Sequence, residues 1–122
     1  MCEDLNGRHV QCRYPNWQPL IDLVGEELAN AFMWMDELEL SDGCRIHAYK
    51  HRTTRRYLHL SETTAAFLYT AADQYRPVPT HGQLAVLLYH WAALDRTRAP
   101  DSDAMLELLG RIERVDVGAR PA

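Results

Sequence analysis

The hydrophobic period changes twice along this chain, and that change limits the fold more than any other feature. Leu20, Leu23, Val24, Leu28, Ala31, Phe32 and Met35 recur at helical spacing with Asp22, Glu26 and Asn30 opposite, which predicts a helix over about 19–33. From Glu37 onward apolar and polar residues alternate, the period of a strand. Phe32-Met33-Trp34-Met35 serves either as the end of the helix or as the start of the first strand. Beyond Thr80 the helical period returns. Leu84, Leu87, Leu88, Trp91 and Leu94 predict a helix over about 81–95, opened by a Thr80 to Gln83 capping box. Met105, Leu108, Leu109 and Ile112 predict a last helix capped by Asp101 or Ser102.

Turn chemistry sets the strand registers. Around Ser41-Asp42-Gly43, a three-residue loop with Gly43 left-handed pairs Leu40 with Cys44, Glu39 with Arg45, Leu38 with Ile46 and Glu37 with His47, which keeps like with like. The same reasoning at Arg52-Thr53-Thr54 pairs His51 with Arg55, Tyr49 with Tyr57 and His47 with His59. Ala66 and Leu68 then continue the apolar face while Phe67 and Tyr69 join the other.

The expected fold is therefore a two-layer α+β domain. An N-terminal helix is followed by an antiparallel meander of four strands, with a fifth near Tyr75–Val78 limited by Pro77 and Pro79, and by two C-terminal helices. The helices cover the apolar sheet face. Residues 1–18 read as an irregular segment, 19–115 as a single domain and 116–122 as a frayed tail. The 122 residues, 47% apolar and 25% charged, suit one soluble globular domain. No apolar run approaches the ~20 residues of a membrane span, and the acidic start Met1-Cys2-Glu3-Asp4 is unlike a secretory signal. The chain is accordingly expected to be cytoplasmic, with its three cysteines reduced.

Net charge is −4, but its distribution is uneven. Residues 1–42 carry nine acids against Arg8 and Arg13, whereas residues 43–61 carry Arg45, Lys50, Arg52, Arg55 and Arg56 and no acid. Either the two parts neutralise one another across the fold, or the basic block forms a local face that attracts anions.

The second sheet face is where function is expected. With those registers it displays Arg45, His47, Tyr49 and His51 on one strand, Arg55, Tyr57 and His59 on the next, and Phe67 and Tyr69 on the third. Tyrosine and arginine give large contact area at low entropic cost, so a protein partner or a second copy of the chain is the first reading. Nucleic acid is the alternative, because stacking rings and cations on a flat sheet hold single-stranded bases. A metal-independent ribonuclease is a third, with His47 and His59 as base and acid and Arg45 or Arg55 stabilising a phosphorane-like charge. Cys2, His9, Cys12 and Cys44 include zinc-binding residue types, but no paired CxxC knuckle supports a metal site, and Cys44 is expected to face the core. No Gly-rich phosphate loop or nucleophile elbow is present, and no cofactor is implied.

The stretch Phe32-Met33-Trp34-Met35 through Glu39-Leu40-Ser41-Asp42-Gly43 to His47-Ala48-Tyr49-Lys50-His51 and Thr54-Arg55-Arg56-Tyr57-Leu58-His59-Leu60, about a third of the chain, resembles small proteins of high-GC Gram-positive bacteria and their phages or mobile elements. That resemblance implies an accessory or regulatory role and attaches no activity.

Overall fold

The computed structural model describes residues 4–11 and 14–119, with side chains as far as residue 112. Its elements are β1 (Leu5–His9), α1 (Gln18–Ala29), β2 (Phe32–Leu40), β3 (Arg45–His51), β4 (Tyr57–Ser61), β5 (Ala66–Ala71), β6 (Gln74–Val78), α2 (Thr80–Leu94) and α3 (Ser102–Ala119). The strands pair antiparallel in chain order, and β6 returns to β1. The sheet is thus a closed six-stranded barrel, not the open four- or five-stranded meander expected from the sequence. The difference comes from β1, which lies in the stretch read as irregular. It pairs with β2 through Gly7 to Leu40, Arg8 to Glu39 and His9 to Leu38, and with β6 through Leu5 to Tyr75 and Asn6 to Gln74.

Closure gives the sheet two buried faces. Leu38, Leu40, Ile46, Ala48, Phe67 and Tyr75, with Leu5 and Cys44 against them, fill the lumen. Phe32, Tyr49, Leu58, Leu60 and Ala66 form the outer face and pack under Leu20, Leu23, Val24, Leu84, Leu87, Leu88, Trp91, Met105, Leu108, Leu109 and Ile112 of the helices. Gly7 is required by space. A Cβ there would lie 2.7 Å from the Tyr75 ring and 3.4 Å from Leu40, so only glycine lets β1 close over the lumen.

The first hairpin has the expected register. Gly43 sits at φ 89°, and Glu37 pairs with His47, Leu38 with Ile46 and Glu39 with Arg45. The second hairpin is shifted by one residue. Arg55 takes φ 63° and extends the loop, so Lys50 pairs with Tyr57, Tyr49 with Leu58, Ala48 with His59 and His47 with Leu60. The His51 side chain organises this turn: its Nδ1 accepts the Thr54 amide at 3.1 Å, while its carbonyl accepts the Arg55 amide. Such a shift sends every β4 side chain to the opposite face from the one expected.

Phe32–Met35 belongs to β2, and α1 stops at Ala29. The anticipated capping box does not form. Thr80 is already helical, and its hydroxyl donates to the Thr64 carbonyl at 2.9 Å, tying α2 to the loop before β5. Asp101 does cap α3, its Oδ1 accepting the Ala104 amide at 2.8 Å. The expected tail 116–122 is helical through Ala119, and residues 120–122 lie outside the described residues. Among the described residues no helix is long and apolar enough to cross a membrane.

Candidate functional site

The nine side chains expected on one exposed face are divided between two sides of the barrel wall. Arg45 lies outside, where its guanidinium donates to Glu37 at 2.6 Å and to Glu39 at 3.3 Å, and Arg8 bonds the same Glu39. These contacts match acid with base across strands and leave Arg45 engaged. His47, Tyr49 and His51 are buried in the layer beneath the helices. The Tyr49 hydroxyl donates to the Asn16 carbonyl at 2.6 Å, and burial pushes its phenol pKa up. His51 lies 4.4 Å from the Trp91 ring, edge-on, and burial with His90 nearby holds its pKa down to about 4. Arg55 is exposed at the β3–β4 turn. Tyr57, His59, Phe67 and Tyr69 point to the lumen or its mouth, on the other side from His47, Tyr49 and His51.

A single aromatic and basic face therefore does not exist, and neither does the His47/His59 acid–base pair. His59 pairs with Ala48, so the two imidazoles project to opposite sides of the wall. Arg55 joins neither. Of the zinc-binding residue types Cys2, His9, Cys12 and Cys44, the structure places two. Cys2 and Cys12 lie outside the described residues, Cys44 packs on the lumen cluster, and His9 is bonded to Asp36. No group of three potential metal ligands occurs among the described residues.

What the barrel builds instead is a cavity of about 430 Å³ at one mouth. The C-terminal ends of β1, β3 and β5 and the N-terminal ends of β2, β4 and β6 meet there, as antiparallel order requires. Four rings from three strands form one wall. Tyr57 stacks on His59 at 5.7 Å between centroids, His59 meets Tyr75 edge-on at 5.2 Å, and Tyr75 meets Tyr69 edge-on at 5.4 Å. Opposite them stand Asp36, His9 and Met35, with Leu38 and Ala48 at the base and Asp73 at the β5–β6 turn.

Asp36 reaches the mouth through an irregularity in β2. The register slips between Trp34 and Asp36, so Met35 bulges to the rim and Asp36 turns inward opposite Ala48. Its Oδ1 accepts the Glu37 amide at 2.8 Å, and its Oδ2 meets His9 Nδ1. His59 is 7% exposed, and burial holds its pKa down to about 4 against the opposing pull of Asp36. Burial, then Asp73, Tyr69 and Asp36, push the Tyr75 phenol up. Both rings are thus neutral near pH 7.

The β4–β5 seam is short, pairing only His59 with Phe67 and Leu60 with Ala66. Outside it a second hollow of about 290 Å³ shares Tyr57, His59 and Tyr69 with the mouth. Sequence reasoning placed Tyr57, His59 and Tyr69 at a binding surface, weighed His9 only as a zinc-binding residue type, and missed Met35, Asp36, Asp73 and Tyr75. Alternation in β6 marked Tyr75. Nothing in Leu5-Asn6-Gly7-Arg8-His9 marks a strand, since only one of its residues is a large apolar side chain.

No protein-family model, curated protein or solved structure matches this chain.

Proposed function

We propose that the protein is a non-enzymatic binding protein that takes a small organic ligand into the mouth of its barrel. The observation that carries this reading is the cavity itself. Its volume of about 430 Å³ falls in the range of small-molecule sites, roughly 300–1,000 Å³. One wall is aromatic, and a few polar groups stand opposite to orient a guest. A six-stranded lumen is too narrow to hold a ligand along its length and is filled by its own side chains. The mouth, where Tyr57 and Tyr69 remain 44% and 49% exposed, is the part left open.

Binding suits this arrangement better than turnover. The His9–Asp36 pair is an oriented couple, but no serine, threonine, cysteine or lysine lines the cavity beside it among the described residues. The reading retains a cytoplasmic location with reduced thiols. Its test is a fragment screen by saturation-transfer NMR on the wild type and on Met35→Trp, which adds a large ring at an exposed rim position. Hits that vanish in Met35→Trp support the mouth as the site. Hits that bind both proteins equally, or no hits at all, overturn it.

A second reading, self-association, rests on α2. Val86, Tyr89 and Leu94 are large apolar side chains of this helix left 51%, 56% and 56% exposed. Light scattering of the wild type against Tyr89→Glu tests it, and a wild-type mass equal to one chain overturns it.

A further inference from the structure

We propose that the barrel mouth selects an alkylammonium cation, held over the rings of Tyr57, Tyr69 and Tyr75 and countered by Asp36 and Asp73. The inference rests on the mouth being a ligand site and adds the charge and chemical class of what enters it.

Three observations converge on that class. The first is the aromatic wall. A tyrosine ring carries a negative face, and several rings around one space attract a cation more strongly as water is excluded. Tyr57, Tyr69 and Tyr75 come from three different strands and border the same cavity. The second is charge. Both carboxylates that line the cavity, Asp36 and Asp73, are acidic groups facing a space that no lysine or arginine enters among the described residues. An anion brought there would meet two like charges, and the nearby Lys50 ammonium is held over Tyr57 at the rim. Asp36 is fixed in place by the Glu37 amide and His9, so the charge is positioned before a ligand arrives. The third is the protein's own use of the wall. The Lys50 ammonium lies 5.5 Å from the centroid of Tyr57, and Lys50 is paired with Tyr57 at the rim. One ring of the wall thus already faces a cation of the protein's own.

Lys50 also supplies a test of sign. It repels an incoming cation and would attract an anion, so its removal should move the two affinities in opposite directions.

The probes are choline, its neutral carbon analogue 3,3-dimethylbutan-1-ol, and the anion 3,3-dimethylbutanoate, each titrated into isotopically labelled full-length protein and followed by amide NMR. Choline should shift resonances at residues 57, 69, 73 and 75 and bind about tenfold or more tighter than the alcohol, with the acid weakest. Tyr69→Ala and Asp73→Asn should each weaken choline by roughly three- to tenfold. Asp73 sits at φ 63°, which asparagine tolerates, and both positions are exposed, so neither change threatens the fold. Lys50→Gln should tighten choline. The alcohol or the acid equalling choline overturns the cation inference while leaving the mouth as a ligand site, as does choline failing to bind where fragments from the screen succeed. Lys50→Gln weakening choline overturns it too. No binding by the three probes or by any fragment ends both readings.

Discussion

Lowering the pH from 7 to 4 should unfold this protein through its buried histidines before its carboxylates matter. An imidazole titrates near 6.5 in an unfolded chain, and burial brings His51 and His59 down to about 4 in the folded one. Between those values the unfolded state binds the proton and the folded state does not, so stability rises with pH across the interval. The stabilisation is fully present above about pH 6.5 and is lost as pH falls toward 4. Each ring contributes roughly 3 kcal/mol at the acid end, and the slope from both is about 2.7 kcal/mol per pH unit. His47 is also lowered by burial, against Glu37 and Glu62, and adds in the same direction. A total of about 6 kcal/mol is a large part of the roughly 5–15 kcal/mol that holds a domain folded. Asp4, Glu39 and Asp95 are lowered instead by hydrogen bonds from Arg76, Arg8 and Thr97, and their contributions fade chiefly below about pH 4.5. Urea unfolding at half-unit steps from pH 7.5 to 4.5 measures the slope. His51→Asn keeps an acceptor for the Thr54 amide and removes one titrating ring, so the slope should fall by about 1.4 kcal/mol per pH unit. A wild-type stability that is flat across this window, or a His51→Asn slope equal to the wild type's, refutes the reasoning.

Other perturbations separate the parts of the fold. Gly7→Ala drives a methyl group into the Tyr75 ring and should cost about 1–3 kcal/mol in urea unfolding, with the Tyr75 ring resonances displaced. Trp91→Ala empties the space between α2 and His51 and should cost about 3–5 kcal/mol, read as a lower denaturation midpoint. Arg45→Ala removes a pair between a half-exposed guanidinium and the Glu37 carboxylate and should cost about 1 kcal/mol, less at high salt.

The helical layer was legible in the sequence because its signal is local. Leu84, Leu87, Leu88 and Trp91 of α2 and Met105, Leu108, Leu109 and Ile112 of α3 are buried as their spacing predicts. The first hairpin was legible for a similar reason, since Gly43 fixes its own turn. The second was not. Matching tyrosine with tyrosine presumed one face in water, but a barrel buries both, and Leu58 is as well accommodated under the helices as His59 is in the lumen. The deciding contact was the His51 side chain accepting the Thr54 amide, which alternation does not encode. Closure was hidden because β1 carries little apolar signal of its own. Gly7 reads as a weak strand residue until Tyr75 is seen against it. With the strand missed, His9 had no reason to meet Asp36, and the mouth could not be assembled.

The first strand is also the hem of the garment. It is five residues long and joins β6 at only two register positions, yet it alone spares β2 and β6 from being open borders. Peel it away and two rows of backbone amides and carbonyls lie bare, an invitation to pair with whatever chain is nearest. A tag or fusion joined close to Leu5 therefore lies beside the seam that closes the barrel.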